Sequence, residues 1–202
     1  MLDIGCGVGA AALCLAVRLP QCRVIGLELQ RDLVRLAGDN VELNGLHGRV
    51  SVMVGDLLAP PPRLSPGMFD HVMANPPYLE QGRGRPPANP AKGAATIEGD
   101  ADLGDWVRFA LAMARGRGTV TFVHRADRLD ALLGHLAGRA GEIVVFPLWP
   151  AAGRAASRVL VRATKQLATP ARLLPGLILH EADGRFSEAA EAVLRGAAAL
   201  EL

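Results

Sequence analysis

The chain has 202 residues, half of them hydrophobic and 21% charged, with a net charge of +2. That is enough apolar material to bury a sizeable core and argues against disorder, while the near-balanced charge neither demands nor excludes a polyanionic partner. No apolar stretch reaches the roughly 18 uninterrupted residues of a membrane span, and the N-terminus lacks a secretory signature, so a single soluble cytoplasmic domain over 1–202 with no membrane partner is expected.

Taken in chain order, apolar β-branched runs alternate with helical patterns, which predicts an α/β fold with a Rossmann-like, doubly wound, mostly parallel sheet. A short strand over 1–4 runs into a glycine-rich turn and a helix over 10–18. A strand over 23–28 precedes a helix over 31–43, where Asn44-Gly45 marks the stop. Strands over 50–54 and 69–74 follow. The stretch 81–93 is rich in Gly and Pro, carries Arg83, Arg85 and Lys92, and reads as a loop beside the preceding strand end. Beyond it come a helix over 103–115, a strand over 119–123, a helix over 128–139 and strands over 143–149 and 158–163. These last two form a C-terminal antiparallel hairpin around the Pro- and Gly-containing segment 148–156. A helix over 187–200 closes the chain.

Four strand ends carry the chemistry. The turn Asp3-Ile4-Gly5-Cys6-Gly7-Val8-Gly9 allows close backbone approach of a ligand at the carboxyl ends of the strands. Glu28, followed by Leu29, ends the second strand at the distance where an acid holds the two hydroxyls of a ribose. Asp56-Leu57 ends the third, where a carboxylate accepts an amino proton of adenine. Asn75-Pro76-Pro77-Tyr78 ends the fourth and combines an amide, two rigid prolines and an aromatic ring, a set suited to gripping a planar nitrogen substrate. Nicotinamide dinucleotides compete for the same glycines, but their usual GxGxxG spacing would need glycine where Ala10 stands. Cys6, Cys14 and Cys22 lack metal-pair spacing and read as reduced structural thiols, and the five histidines are scattered, so no metal site is assigned.

This pattern resembles the class I S-adenosylmethionine-dependent methyltransferases. The resemblance implies S-adenosyl-L-methionine as cofactor, held by Asp3, Gly5, Cys6, Gly7, Gly9, Glu28, Leu29, Asp56, Leu57 and Asn75, with Asp3 arranging water and the cofactor's methionine end. It also implies that Asn75, Pro76, Pro77 and Tyr78 bind the nitrogen to be methylated. The segments 158–163 and 173–186, the latter containing Leu179-His180-Glu181-Ala182-Asp183-Gly184, are similar to the bacterial tRNA(Val) adenine-N6 methyltransferase group, which implies tRNA processing and RNA methylation with tRNA as partner. Two alternatives stand beside it: a glutamine methyltransferase acting on peptide-chain release factors, which typically carries a helical N-terminal substrate domain, and an inactive cofactor-binding fragment. Full-length relatives carry an upstream segment near the cofactor, and the first strand here begins abruptly, so Met1 is expected to be a misassigned start or a truncation point. Oligomeric state is left open by the sequence.

Overall fold

The computed structural model describes residues 1–77 and 100–202. Tyr78 and the expected loop over 81–93 lie outside the described residues. Among those described, nine strands form one sheet: β1 (Leu2–Ile4), β2 (Val24–Glu28), β3 (Val50–Val54), β4 (Phe69–Ala74), β5 (Ala114–Arg125), β6 (Ala140–Ala151), β7 (Arg158–Lys165), β8 (Arg172–Leu173) and β9 (Leu177–His180). Their order is β3-β2-β1-β4-β5-β7-β6-β8, with β9 also paired to β6. The first five strands are mutually parallel where they meet; β7 enters antiparallel between β5 and β6, and β8 and β9 run parallel to β6. The expected mostly parallel sheet with an antiparallel hairpin is therefore present.

Side-chain alternation along the strands splits the core between the two faces of the sheet. On one face Leu2, Ile4, Ile25, Leu27, Val72, Val120 and Phe122 pack against the helices α3 (Leu103–Met113) and α4 (Leu129–Leu136). On the other, Val24, Val50 and Val52 meet α1 (Ala10–Arg18) and α2 (Arg31–Leu43). Leu2 and Ile4 are fully buried, as a central parallel strand covered on both sides requires. Asp3, between them, points to the α1 face.

Local chemistry sets the helix ends. At the C-terminus of α2 the Gly45 amide donates to the Glu42 carbonyl at 2.9 Å and the Leu46 amide to the Val41 carbonyl at 3.0 Å. Gly45 has φ +64°, so this is the left-handed stop expected at Asn44-Gly45. At the start of α3, Asp102 and Asp105 each accept the other's backbone N–H, at 2.7 and 3.0 Å, forming a capping box.

Three expectations differ from the structure. The helix expected to reach 115 stops at Met113, because Gly116-Arg117-Gly118 is extended or left-handed and Ala114 already pairs with Phe69 of β4. The last helix, α5, covers only Glu188–Leu194, capped by the Ser187 hydroxyl and followed by Gly196 and the positive-φ Ala197. The short strands β8 and β9 have no counterpart among the strands expected from the sequence.

Candidate functional site

The strand register brings the four sequence signals to one edge. Ile4 of β1 lies opposite both Leu27 of β2 and Ala74 of β4, and Glu28 lies opposite Val54 of β3. The Gly5 turn and Asn75 therefore leave neighbouring strands at the same level, about 4.8 Å apart in the pairing direction. Glu28 and Gly55-Asp56 leave the next two strands beside them.

The glycine turn is built by backbone bonds. The amides of Gly5 and Cys6 both donate to the Leu27 carbonyl, at 2.8 and 3.2 Å, and the Gly9 amide donates to the Cys6 carbonyl at 2.9 Å. Gly5, Gly7 and Gly9 all have positive φ. Their surroundings differ. A Cβ on Gly5 would lie 2.7 Å from Cη2 of Trp106, whereas one on Gly7 would meet no heavy atom within 4 Å. Gly7 thus presents bare backbone to open space, and Gly5 makes room for the indole beneath the turn. Gly5→Ala should destabilise the fold by about 3 kcal/mol, from the left-handed penalty plus overpacking. Gly7→Ala should cost only about 1 kcal/mol, and should weaken binding of any ligand that approaches the bare backbone of the turn. Thermal unfolding and calorimetric titration of both variants check the pair of outcomes.

Glu28 is 7% exposed and ties the first two turns together: Oε2 accepts the Gly7 amide and Oε1 the Gln30 amide, both at 2.9 Å. An ionised carboxylate has about four acceptor positions, so two remain for a ligand's hydroxyls. Asp56 is half-buried; its Oδ1 accepts the Leu58 amide at 2.9 Å, and Leu57 packs against the core. Leu29 is 63% exposed beside Glu28. At the end of β4, Asn75 is exposed, Pro76 buried and Pro77 half-buried.

Two buried groups under the turn have shifted acidities. Burial, reinforced by the charge of Glu28, pushes the Asp3 carboxyl up to about 7 against the opposing hydrogen bond from the Ala12 amide. Its Oδ2 is buried without a hydrogen-bond partner among the described residues. Burial, with Asp3 and Glu28 nearby, pushes the Cys6 thiol up to about 12, so Cys6 is a neutral packing group whose Sγ fills the space left by Gly26.

Sequence reasoning did not identify Trp106, Gly26 or Asn40, whose side-chain amide donates to the Val8 carbonyl at 3.0 Å and steadies the turn. Nothing in the spacing links these residues to the glycines; the packing of α2 and α3 brings Asn40 and Trp106 there, and the pairing of β2 with β1 brings Gly26.

Residues 1–87 match the methyltransferase small domain family. The tRNA1(Val) (adenine(37)-N6)-methyltransferase of Aeromonas hydrophila is 30% identical over 190 residues, covering 93% of this chain and 77% of that protein. The chain belongs to the S-adenosylmethionine-dependent methyltransferases. A release factor glutamine methyltransferase of Moorella thermoacetica is 35% identical over a shorter span, 56% of this chain and 40% of that protein. In fold, a predicted O-methyltransferase from Agrobacterium tumefaciens superposes with a TM-score of 0.80 at 24% identity, over 98% of this chain and 89% of that one. Membership makes S-adenosylmethionine the methyl donor. The residues present fit it: an orphaned buried carboxylate oxygen for a cation, a bare glycine backbone, and two strand-end acids for hydroxyl and amino donors. No helix among the described residues is long and apolar enough to cross a membrane.

Proposed function

We propose that this methyltransferase domain, spanning 1–202, methylates the exocyclic N6 amine of an adenine in cytoplasmic tRNA. The observation that carries the reading is the placement of Asn75-Pro76 at the end of β4, level with the Gly5 turn of β1. The tRNA assignment is supported by the Aeromonas relative, whose match extends over 93% of the chain and so takes in the C-terminal strands.

An adenine amine is a poor nucleophile because its lone pair is delocalised into the ring. The side-chain oxygen of Asn75 and the carbonyl of Pro76 would accept its two N–H bonds, favour pyramidalisation and aim the lone pair. Bound S-adenosylmethionine supplies an electrophilic methyl on a sulfonium. With the nitrogen so held, positioning and electrostatics would carry its attack: the N–C bond would form as the S–C bond breaks, the neutral thioether would leave, and the amine proton would then pass to solvent. Tyr78, outside the described residues, is assigned to stacking on the base, which requires an adenine splayed from its neighbours.

In this reading Glu28 holds the ribose hydroxyls, Asp56 accepts from the cofactor's adenine amine, and Leu29 and Leu57 flank that base. Asp56→Ala should raise the cofactor Kd about tenfold, the worth of a hydrogen bond to a charged group, and leave RNA affinity unchanged. Equal loss of both would remove Asp56 from the cofactor site. Substrate class is tested by offering labelled S-adenosylmethionine with tRNA, with release factor, or with neither. Label in tRNA is expected; label in release factor would assign the glutamine chemistry instead.

A further inference from the structure

The segment Leu179-His180-Glu181-Ala182-Asp183-Gly184-Arg185-Phe186 takes no part in the site above, yet it is built as a rigid aromatic corner. His180 ends β9 and pairs with Phe186 across a tight turn; their rings stack with centroids 4.8 Å apart and 24° between planes. His180 Nδ1 lies 3.0 Å from the Pro150 carbonyl, which only accepts, so this nitrogen carries the proton and the ring is locked. The Ser187 hydroxyl, which caps α5, donates to the Ile178 carbonyl at 2.6 Å and fixes the turn from the other side. Phe186 nevertheless remains 39% exposed. A bulky ring held this firmly and left open to solvent is a preformed stacking surface.

Its position relates it to the substrate. Because β4, β5, β6 and β9 run the same way, His180 lies at the same end of the sheet as Asn75. Register carries Ala74 through Phe122 and Val161 to Val145, and His180 is level with Ala151, further along β6. The corner therefore stands about 19 Å across the sheet from β4 and about 20 Å beyond it along the strands. That is too far for the reacting nucleotide and suited to another part of the same polymer. Cationic groups occupy the same corner. The Arg154 amide donates to the Ala151 carbonyl, and no ion pair holds the exposed Arg154 side chain among the described residues. Arg185 is 84% exposed beside Phe186, and Asp183 in the same turn is engaged by its guanidinium.

We infer that the His180–Phe186 stack and Arg154 form a second RNA subsite, in which Phe186 stacks on a base away from the methylated adenine and Arg154 meets a phosphate. The inference rests on the RNA reading above and adds where the polymer is held. An aromatic face with an arginine alongside suits a nucleotide, whose base offers a π face and whose phosphate offers charge.

The test uses the full chain and measures binding of unfractionated tRNA and of a single-stranded adenine oligoribonucleotide of about five nucleotides. Phe186→Ala and Phe186→Leu should each weaken tRNA binding at least about fivefold, and Phe186→Tyr should restore it. Arg154→Ala should weaken tRNA binding and lower the salt slope by about one. None should change the affinity for the short oligonucleotide or for S-adenosylhomocysteine, which also verifies folding. Wild-type tRNA affinity in Phe186→Leu, or no tRNA binding by the wild type, would overturn the subsite. Phe186-dependent tRNA binding without methylation of the RNA would leave the subsite standing and defeat the proposed reaction; methylation with Phe186-independent binding would do the reverse.

Discussion

Asn75→Ala is expected to lower the rate of methyl transfer by about a thousandfold, the scale seen when a preorganised hydrogen-bonding group is removed at a reacting centre. Cofactor affinity should fall far less than the rate, because Asn75 is only one of the residues assigned to the cofactor and the contacts assigned to its ribose and adenine come from β2 and β3. Asn75 follows Ala74, which is paired with Ile4 on one side and Phe122 on the other, so the backbone on which it sits is fixed. Pro76, buried behind it, has no N–H and a restricted φ, which limits the directions its carbonyl can take. Asn75→Asp keeps an acceptor oxygen and should retain more activity than Ala. Single-turnover rates with RNA in excess, together with direct cofactor titration, separate the chemical step from binding. Equal rates for wild type and Asn75→Ala would take Asn75 out of the reaction.

Asp3→Asn should make the ligand-free protein more stable and a worse binder. The Asp3 carboxyl titrates near 7 in the fold against 3.8 unfolded, so between those values the folded state keeps a proton that the unfolded chain has lost. Stability therefore falls as pH rises across this window, by up to about 4 kcal/mol in full, and levels off above it. The amide isostere does not titrate. Its stability gain should be about 2 kcal/mol or more at pH 8 and should shrink as pH falls towards 5, which denaturant unfolding at several pH values measures. Cofactor binding should respond with the opposite sense. If the buried Oδ2, which has no hydrogen-bond partner among the described residues, meets the cationic end of the cofactor as proposed, wild-type affinity should drop as Asp3 protonates below about pH 7. Affinity of the Asn variant should be lower and flat over the same range. A pH-independent wild-type affinity would mean that Asp3 does not face the cofactor's charge.

Much of this architecture is legible in the residues themselves. Alternating β-branched runs and amphipathic segments place the strands and helices, because burial on both faces of a parallel sheet demands such runs, and Asn44-Gly45 marks its helix end by backbone chemistry alone. The positions of Gly5, Glu28, Asp56 and Asn75 at strand ends also follow, since each closes an apolar run. What does not follow depends on contacts made at long range. β8 and β9 are too short to show a period and exist because β6, at Ala140–Ala151, is long enough to pair with both. Trp106 sits beneath Gly5 only through the packing of α3. The upward shift of Asp3 arises from burial between α1 and the sheet with Glu28 near, which a three-residue strand does not announce.

In the proposed reaction an RNA adenine receives the methyl group. Its most direct test is to incubate the protein with tRNA and isotopically labelled S-adenosylmethionine, digest the RNA to nucleosides and identify the labelled one. Label in N6-methyladenosine, absent with Asn75→Ala, is the predicted result; label in a different nucleoside, or in release factor glutamine with none in RNA, would contradict the account.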